Sequence, residues 1–149
     1  VRAMLETMPA SEVVAALNDG DPTQNDWAYI TTRIEGGEPA WLDLVPLLKP
    51  GTDAGTAEDL KITLSRTLAF NAPGALALIA NGVYSPAEIC TSNEIEVTPL
   101  DAIVGVDAAL KSIAAVLDTP LRETRNVCLA ELERTRIDIL VGAAKVSGD

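Results

Sequence analysis

Apolar residues in this chain recur at helical spacing and almost nowhere alternate. Val13, Val14 and Leu17 share one face of a short segment that Pro9 can open and that stops near Gly20. Trp27, Ile30 and Ile34 fall at i, i+3 and i+7 of a second, which Asn25 or Asp26 can cap and Gly36-Gly37 can end. A third is predicted from Pro39, with Trp41, Leu44, Val45 and Leu48 along it. Pro46 should kink or shorten it, because the ring clashes with the preceding turn.

The helix predicted after Thr56 sets Leu60, Leu64 and Leu68 on one stripe, with Asp59 as an imperfect capping-box partner. Asn71 interrupts it, and a short apolar helix through Leu76 and Ile79 runs to Gly82. Ser85-Pro86, Thr98-Pro99 and Thr119-Pro120 then repeat one signal, a hydroxyl at the N-cap followed by proline in the first turn. Glu88 completes a capping box in the first of them. The helix from Thr98 is predicted to bury Ile103, Val106, Leu110, Ile113 and Leu117 as a seam. The last helix carries Leu121, Cys128, Leu132 and Ile139 on one side and four arginines elsewhere. Only Ile95-Glu96-Val97 alternates, too briefly to build a sheet. The pattern predicts one all-α domain spanning residues 1–149. Its architecture should be an antiparallel helical bundle or a short stack of helical hairpins, of about six to eight helices.

Composition adds a constraint on the core. A chain of 149 residues can bury a substantial apolar interior. Phe70, Tyr29, Tyr84, Trp27 and Trp41 are its only aromatics, so that interior must come from Leu, Ile, Val and Ala.

Charge changes the picture more. The net charge is −11. Residues 1–120 hold 6 Lys/Arg against 17 Asp/Glu, whereas residues 121–149 hold five of each. A nucleic-acid partner needs a basic face to displace counterions, and the sequence offers none. An anionic membrane surface is disfavoured for the same reason, and no apolar run approaches the ~20 residues of a span. An electrostatically steered partner should be basic and should meet the first part of the chain. Trp27 and Tyr29, set among Asp19, Asp21 and Asp26, are the candidate contacts for a basic protein partner. Two plainer readings stand beside this one. The acidity can simply keep the surface solvated, and Trp27 and Trp41 also fit apolar stripes as core residues.

The chain has no histidine, which removes the commonest general base and metal ligand. Cys90 and Cys128 are its only cysteines. They lack the C-x-x-C spacing of a redox pair and are too few for a zinc site. An even count at wide separation fits one disulfide, and the alternative is two buried free thiols. A disulfide would place the protein in an oxidising compartment. Asp19, Asp21 and Thr23 alternate like the start of a calcium loop. Gln24 stands where that loop needs Gly, and Ile30 stands where it needs Glu, so a connector rich in capping residues is the better reading. No serine lies in a nucleophile elbow and no Gly-rich phosphate loop is present. The sequence therefore assigns no catalytic residue, cofactor or metal. The chain opens without Met or an apolar leader, which fits a mature exported protein and a shortened chain equally.

Leu68-Ala69-Phe70-Asn71-Ala72-Pro73, then Leu76 to Ile79, Ser85 to Cys90 and finally Val127-Cys128-Leu129 form a recognisable series. An Asn-centred helix break precedes a Leu-rich helix, an Ile-Cys follows, and a second cysteine sits in the closing helix. Over about residues 56–132 this resembles small exported helical proteins of Gram-negative bacteria, most of them uncharacterised. The resemblance implies a periplasmic helical fold with a Cys90–Cys128 bridge, and it carries over no catalytic residue.

The functional expectation is a non-enzymatic protein-binding domain, periplasmic or secreted. Within that class, an immunity or inhibitor protein whose acidic face blocks a basic toxin or enzyme fits best. One alternative is a structural or scaffolding module of a cell-envelope complex. Another is a carboxylate-dependent hydrolase, although no carboxylate pair stands out.

Overall fold

Leu60, Leu64 and Leu68 are wholly buried along one stripe of the longest helix in the first half of the chain, and the rest of the molecule is arranged around that stripe. The computed structural model describes residues 1–19, 26–93 and 97–146. Among these residues the structure is helical, with ten α-helical segments and no strand. In chain order they are α1 (Arg2–Leu5), α2 (Ala10–Asn18), α3 (Asp26–Glu35), α4 (Pro39–Leu42), α5 (Val45–Leu48), α6 (Ala54–Phe70), α7 (Ala72–Ala80), α8 (Pro86–Ile89), α9 (Pro99–Ala114) and α10 (Arg122–Val146). Four of them, α1, α4, α5 and α8, are single turns, which is why the count exceeds the expected six to eight.

α6 packs against α3, α7, α8 and α9, and α10 closes over α9, α8 and α7. α9 and α10 run antiparallel. Arg125 near the start of α10 donates to the Val116 carbonyl just after α9, and Arg136 further along reaches Asp107 in the middle of α9. The core is aliphatic, as the scarcity of aromatics required, with only Trp27 and Tyr84 buried among the rings.

Several boundaries differ from expectation for local reasons. α6 begins three residues earlier than predicted, because Asp53 is its N-cap rather than Thr56. The Asp53 carboxylate accepts from the Thr56 N–H at 2.9 Å, and Thr56 Oγ1 accepts from the Asp53 N–H at 3.0 Å. This is a capping box with the acid and hydroxyl exchanged. The Thr56 hydroxyl, which donates to the Asp53 carboxylate at 2.7 Å, and then the Thr56 N–H hold that carboxyl below its ordinary pKa.

The helix predicted from Pro39 divides into α4 and α5. Pro46 falls in the first turn of α5, where a proline is tolerated, so it starts a new turn rather than kinking an old one. Thr119-Pro120 opens a 3₁₀ turn ahead of α10 rather than α10 itself. The alternating Ile95-Glu96 and the Gly20 and Asn25 boundary signals lie outside the described residues.

The Gly37 and Asn71 signals hold. α3 ends in a Schellman motif at Gly37, with φ +73°, where Gly37 N–H donates to Ile34 and Glu38 N–H to Arg33. Asn71 both ends α6 and caps α7, its side chain accepting from the Gly74 N–H at 3.0 Å.

Cys90 and Cys128 form a disulfide and are both fully buried. It fastens the end of α8 to the inner face of α10, so of the two readings of the cysteines the bridge is the one observed. No helix among the described residues is long and apolar enough to cross a membrane.

Candidate binding surface

The seam predicted for α9 is displaced, and the displacement opens an apolar groove. Ala102, Val106, Ala109 and Ile113 are the buried positions of α9, whereas Ile103 and Leu110 are only partly covered. Leu117 lies beyond the helix end and is exposed. α9 therefore turns small side chains toward α6. Ala102, Gly105, Ala108 and Ala109 project too little to fill the space, and a groove of about 200 Å³ remains between the two helices. Ala69 of α6 and Leu132 of α10 also line it. At its margin stand two apolar side chains that no core position accounts for, Phe70 at 68% exposed and Val104 at 62%.

The segment after the disulfide fixes one end of this groove. The Asn93 amide donates to Ser65 Oγ at 2.6 Å and to the Glu88 carbonyl at 2.9 Å, and Ser65 Oγ donates to the Ile89 carbonyl at 2.9 Å. Thr91 and Thr135 hydroxyls lie 3.3 Å apart, tying the same segment to α10.

Elsewhere on its wall an ion pair separates the groove from a second, polar cleft. Arg66 of α6 contacts Glu35 at the end of α3 at 3.5 Å. Both side chains line the apolar groove and also a cleft of about 320 Å³ between α3 and α6, walled by Thr31, Thr32 and Asp59. Asp59 accepts from Trp27 Nε1 at 3.0 Å. Thr67 behind it bonds the Ile34 carbonyl at 2.9 Å, holding α3 in register on α6. The two concavities thus form one bipartite surface across α6, apolar on the α9 side and polar with two carboxylates on the α3 side. Such a surface can seat an aliphatic side chain in the groove and, beside Glu35 and Asp59, a cation that shares Glu35 with Arg66.

The residues predicted to contact a partner are not brought together as one patch. Trp27 is 3% exposed and belongs to the core, reaching the surface only as part of the lining of the α3–α6 cleft. Tyr29 is exposed, edge-on to Trp41 with ring centroids 5.7 Å apart. The Arg33 guanidinium already lies 5.0 Å from the Tyr29 ring centre and donates to Glu38 at 2.7 Å. That occupies the place where a partner's cation would stack on this ring. Asp26 is exposed in the first turn of α3 and Asp19 is exposed at the C-cap of α2. Asp21 lies outside the described residues.

The groove is what sequence reasoning missed. Its signal was present in the run of small residues at 102, 105, 108 and 109, and in Phe70 falling at the end of α6, off the Leu60–Leu64–Leu68 stripe. Among the described residues no group of three or more acidic or sulfur side chains converges as a metal site. No protein-family model, curated protein or solved structure matches the chain.

Proposed function

We propose that this chain is a non-enzymatic binding protein of an oxidising compartment, periplasmic or extracellular, that receives a basic, amphipathic segment of another protein across α6. The observation that carries this reading is the sharing of Glu35 between an apolar groove and a carboxylate-bearing cleft. An amphipathic segment laid across that boundary sets apolar side chains against Phe70 and Val104 and a Lys or Arg beside Glu35. The net charge of −11 supports a basic partner through long-range attraction. The disulfide supports the compartment. An immunity or inhibitor protein, which covers the basic surface of a toxin or enzyme, is the specific role that fits.

Affinity capture from the native host tests it, using the wild-type chain beside Phe70→Ser and Glu35→Gln variants. A basic protein retained by the wild type, released by salt and retained less by both variants agrees with the proposal. Failure to retain any basic protein, or equal retention by all three chains, refutes it.

A second reading, a structural module of an envelope complex, is favoured by one separate observation. The outer face of α10 exposes Ile137, Leu140 and Val141.

A further inference from the structure

A helix that is apolar on all sides is ordinarily buried on all sides. The last turns of α10 depart from that rule. Residues 139–144 read Ile-Leu-Val-Gly-Ala-Ala, and only Ile139 and Ala143 turn inward enough to be partly covered. Ile137 is 57% exposed, Leu140 46% and Val141 48%, and Ala144 is exposed as well. Their spacing of i, i+3, i+4 and i+7 makes them one continuous outer stripe.

We infer that this stripe is the contact through which two copies of the chain pair, α10 against α10 in antiparallel orientation. Net charge and self-complementarity select a second copy as the occupant. In residues 1–120 acids outnumber bases 17 to 6, so two copies repel one another there. Residues 121–149 hold five of each sign, which makes α10 the long element over which two copies can approach without that penalty.

The flank of the stripe is self-complementary. Asp138 and Lys145, both exposed, are seven residues apart and therefore lie on the same flank of the stripe. In a two-fold antiparallel pair, residues on one flank meet residues on the same flank of the other copy. Centring the pair between Val141 and Gly142 sets Asp138 of each copy opposite Lys145 of the other, giving two reciprocal ion pairs around the apolar stripe. The α6 groove is not used, so the pairing is independent of the function proposed above. A contact confined to two or three turns is smaller than a standard protein interface, so the pairing should be reversible and concentration-dependent.

Sedimentation velocity of the full chain, from micromolar to near-millimolar concentration, tests this. The wild type should pass from monomer to dimer, and Val141→Lys should weaken dimerisation by roughly tenfold or more. Asp138→Lys and Lys145→Asp should each weaken it, and the double exchange Asp138→Lys/Lys145→Asp should restore it. Circular dichroism confirms that each variant keeps its helix. A wild type that stays monomeric throughout overturns the inference. So does a dimer indifferent to Val141→Lys, or one that the double exchange fails to restore.

Discussion

The Asn71 side chain, at the junction of α6 and α7, donates to the Gly37 carbonyl at 2.7 Å and so joins two helix ends that lie 34 positions apart. The same amide accepts from Gly74 N–H, so one residue ends α6, caps α7 and holds the turn after α3. Gly37 adopts φ +73°, and a Cβ placed there comes within 2.3 Å of the Asn71 Cβ. Asn71→Ala removes both hydrogen bonds and should cost about 1–3 kcal/mol of stability. Gly37→Ala should cost at least as much, because it combines a left-handed backbone with a direct clash. Urea unfolding monitored by circular dichroism measures both.

The tryptophans should separate cleanly in fluorescence. Trp27 is buried with Nε1 bonded to Asp59, whereas Trp41 is half-buried beside Tyr29. A Trp41→Phe variant should emit at short wavelength and resist quenching by acrylamide. Trp27→Phe should leave a redder, readily quenched emission. Similar quenching of the two variants would contradict the placement of Trp27 in the core.

Much of this was legible beforehand because it is local. Trp27, Ile30 and Ile34 lie on one helical stripe and are all buried, and Ser85 and Glu88 meet as their spacing predicts, at 2.7 Å from the Ser85 N–H to the carboxylate. Asn71 broke the helix where its side chain could replace the missing backbone partners. The errors arose where tertiary packing outranked periodicity. On α9 the larger residues Ile103, Val106, Leu110, Ile113 and Leu117 gave the more conspicuous stripe. The helix instead ends at Ala114 and turns its alanines toward α6. A groove is a failure of two surfaces to fill each other, and one helix's pattern cannot report what its neighbour leaves empty. The sequence left Trp27 open between partner contact and core, since an indole in an acidic segment looks the same whether its ring is covered or not, and in the structure the ring is covered.

The disulfide closes a loop with a sequence separation of 38 and ties α8 to α10. Replacing both cysteines by alanine should destabilise the chain by about 4 kcal/mol if the loss is governed by the entropy of the opened chain. Alkylation without reductant, read by mass, should find no reactive thiol in the wild type. Labelling of both cysteines in protein isolated from the native host would remove the argument for an oxidising compartment.

Tyr84 gives the fold an alkaline limit. Its ring is buried under the Lys49 ammonium, 4.0 Å from the ring centre, and burial followed by the nearby Glu88 charge pushes its pKa up to about 12. The folded state therefore holds this proton more tightly than the unfolded chain, whose tyrosine releases it near pH 10. Stability from this group is complete below about pH 10 and falls as pH rises toward 12, by on the order of 2 kcal/mol. Tyr84→Phe should flatten the decline between those values when unfolding free energies are compared across pH.

The proposed binding surface is tested most directly by isothermal titration of the chain with two synthetic peptides of identical composition and charge. In one, lysines and leucines occupy opposite faces of a helix, and in the other the same residues are scrambled. The amphipathic peptide should bind with an affinity that falls as salt rises, and at least roughly tenfold more tightly than the scrambled one. Phe70→Ser should abolish that preference, since it removes the apolar lip without changing charge. Equal affinity for both peptides would reduce the acidic surface to unspecific attraction, and no binding at low salt would contradict the account outright.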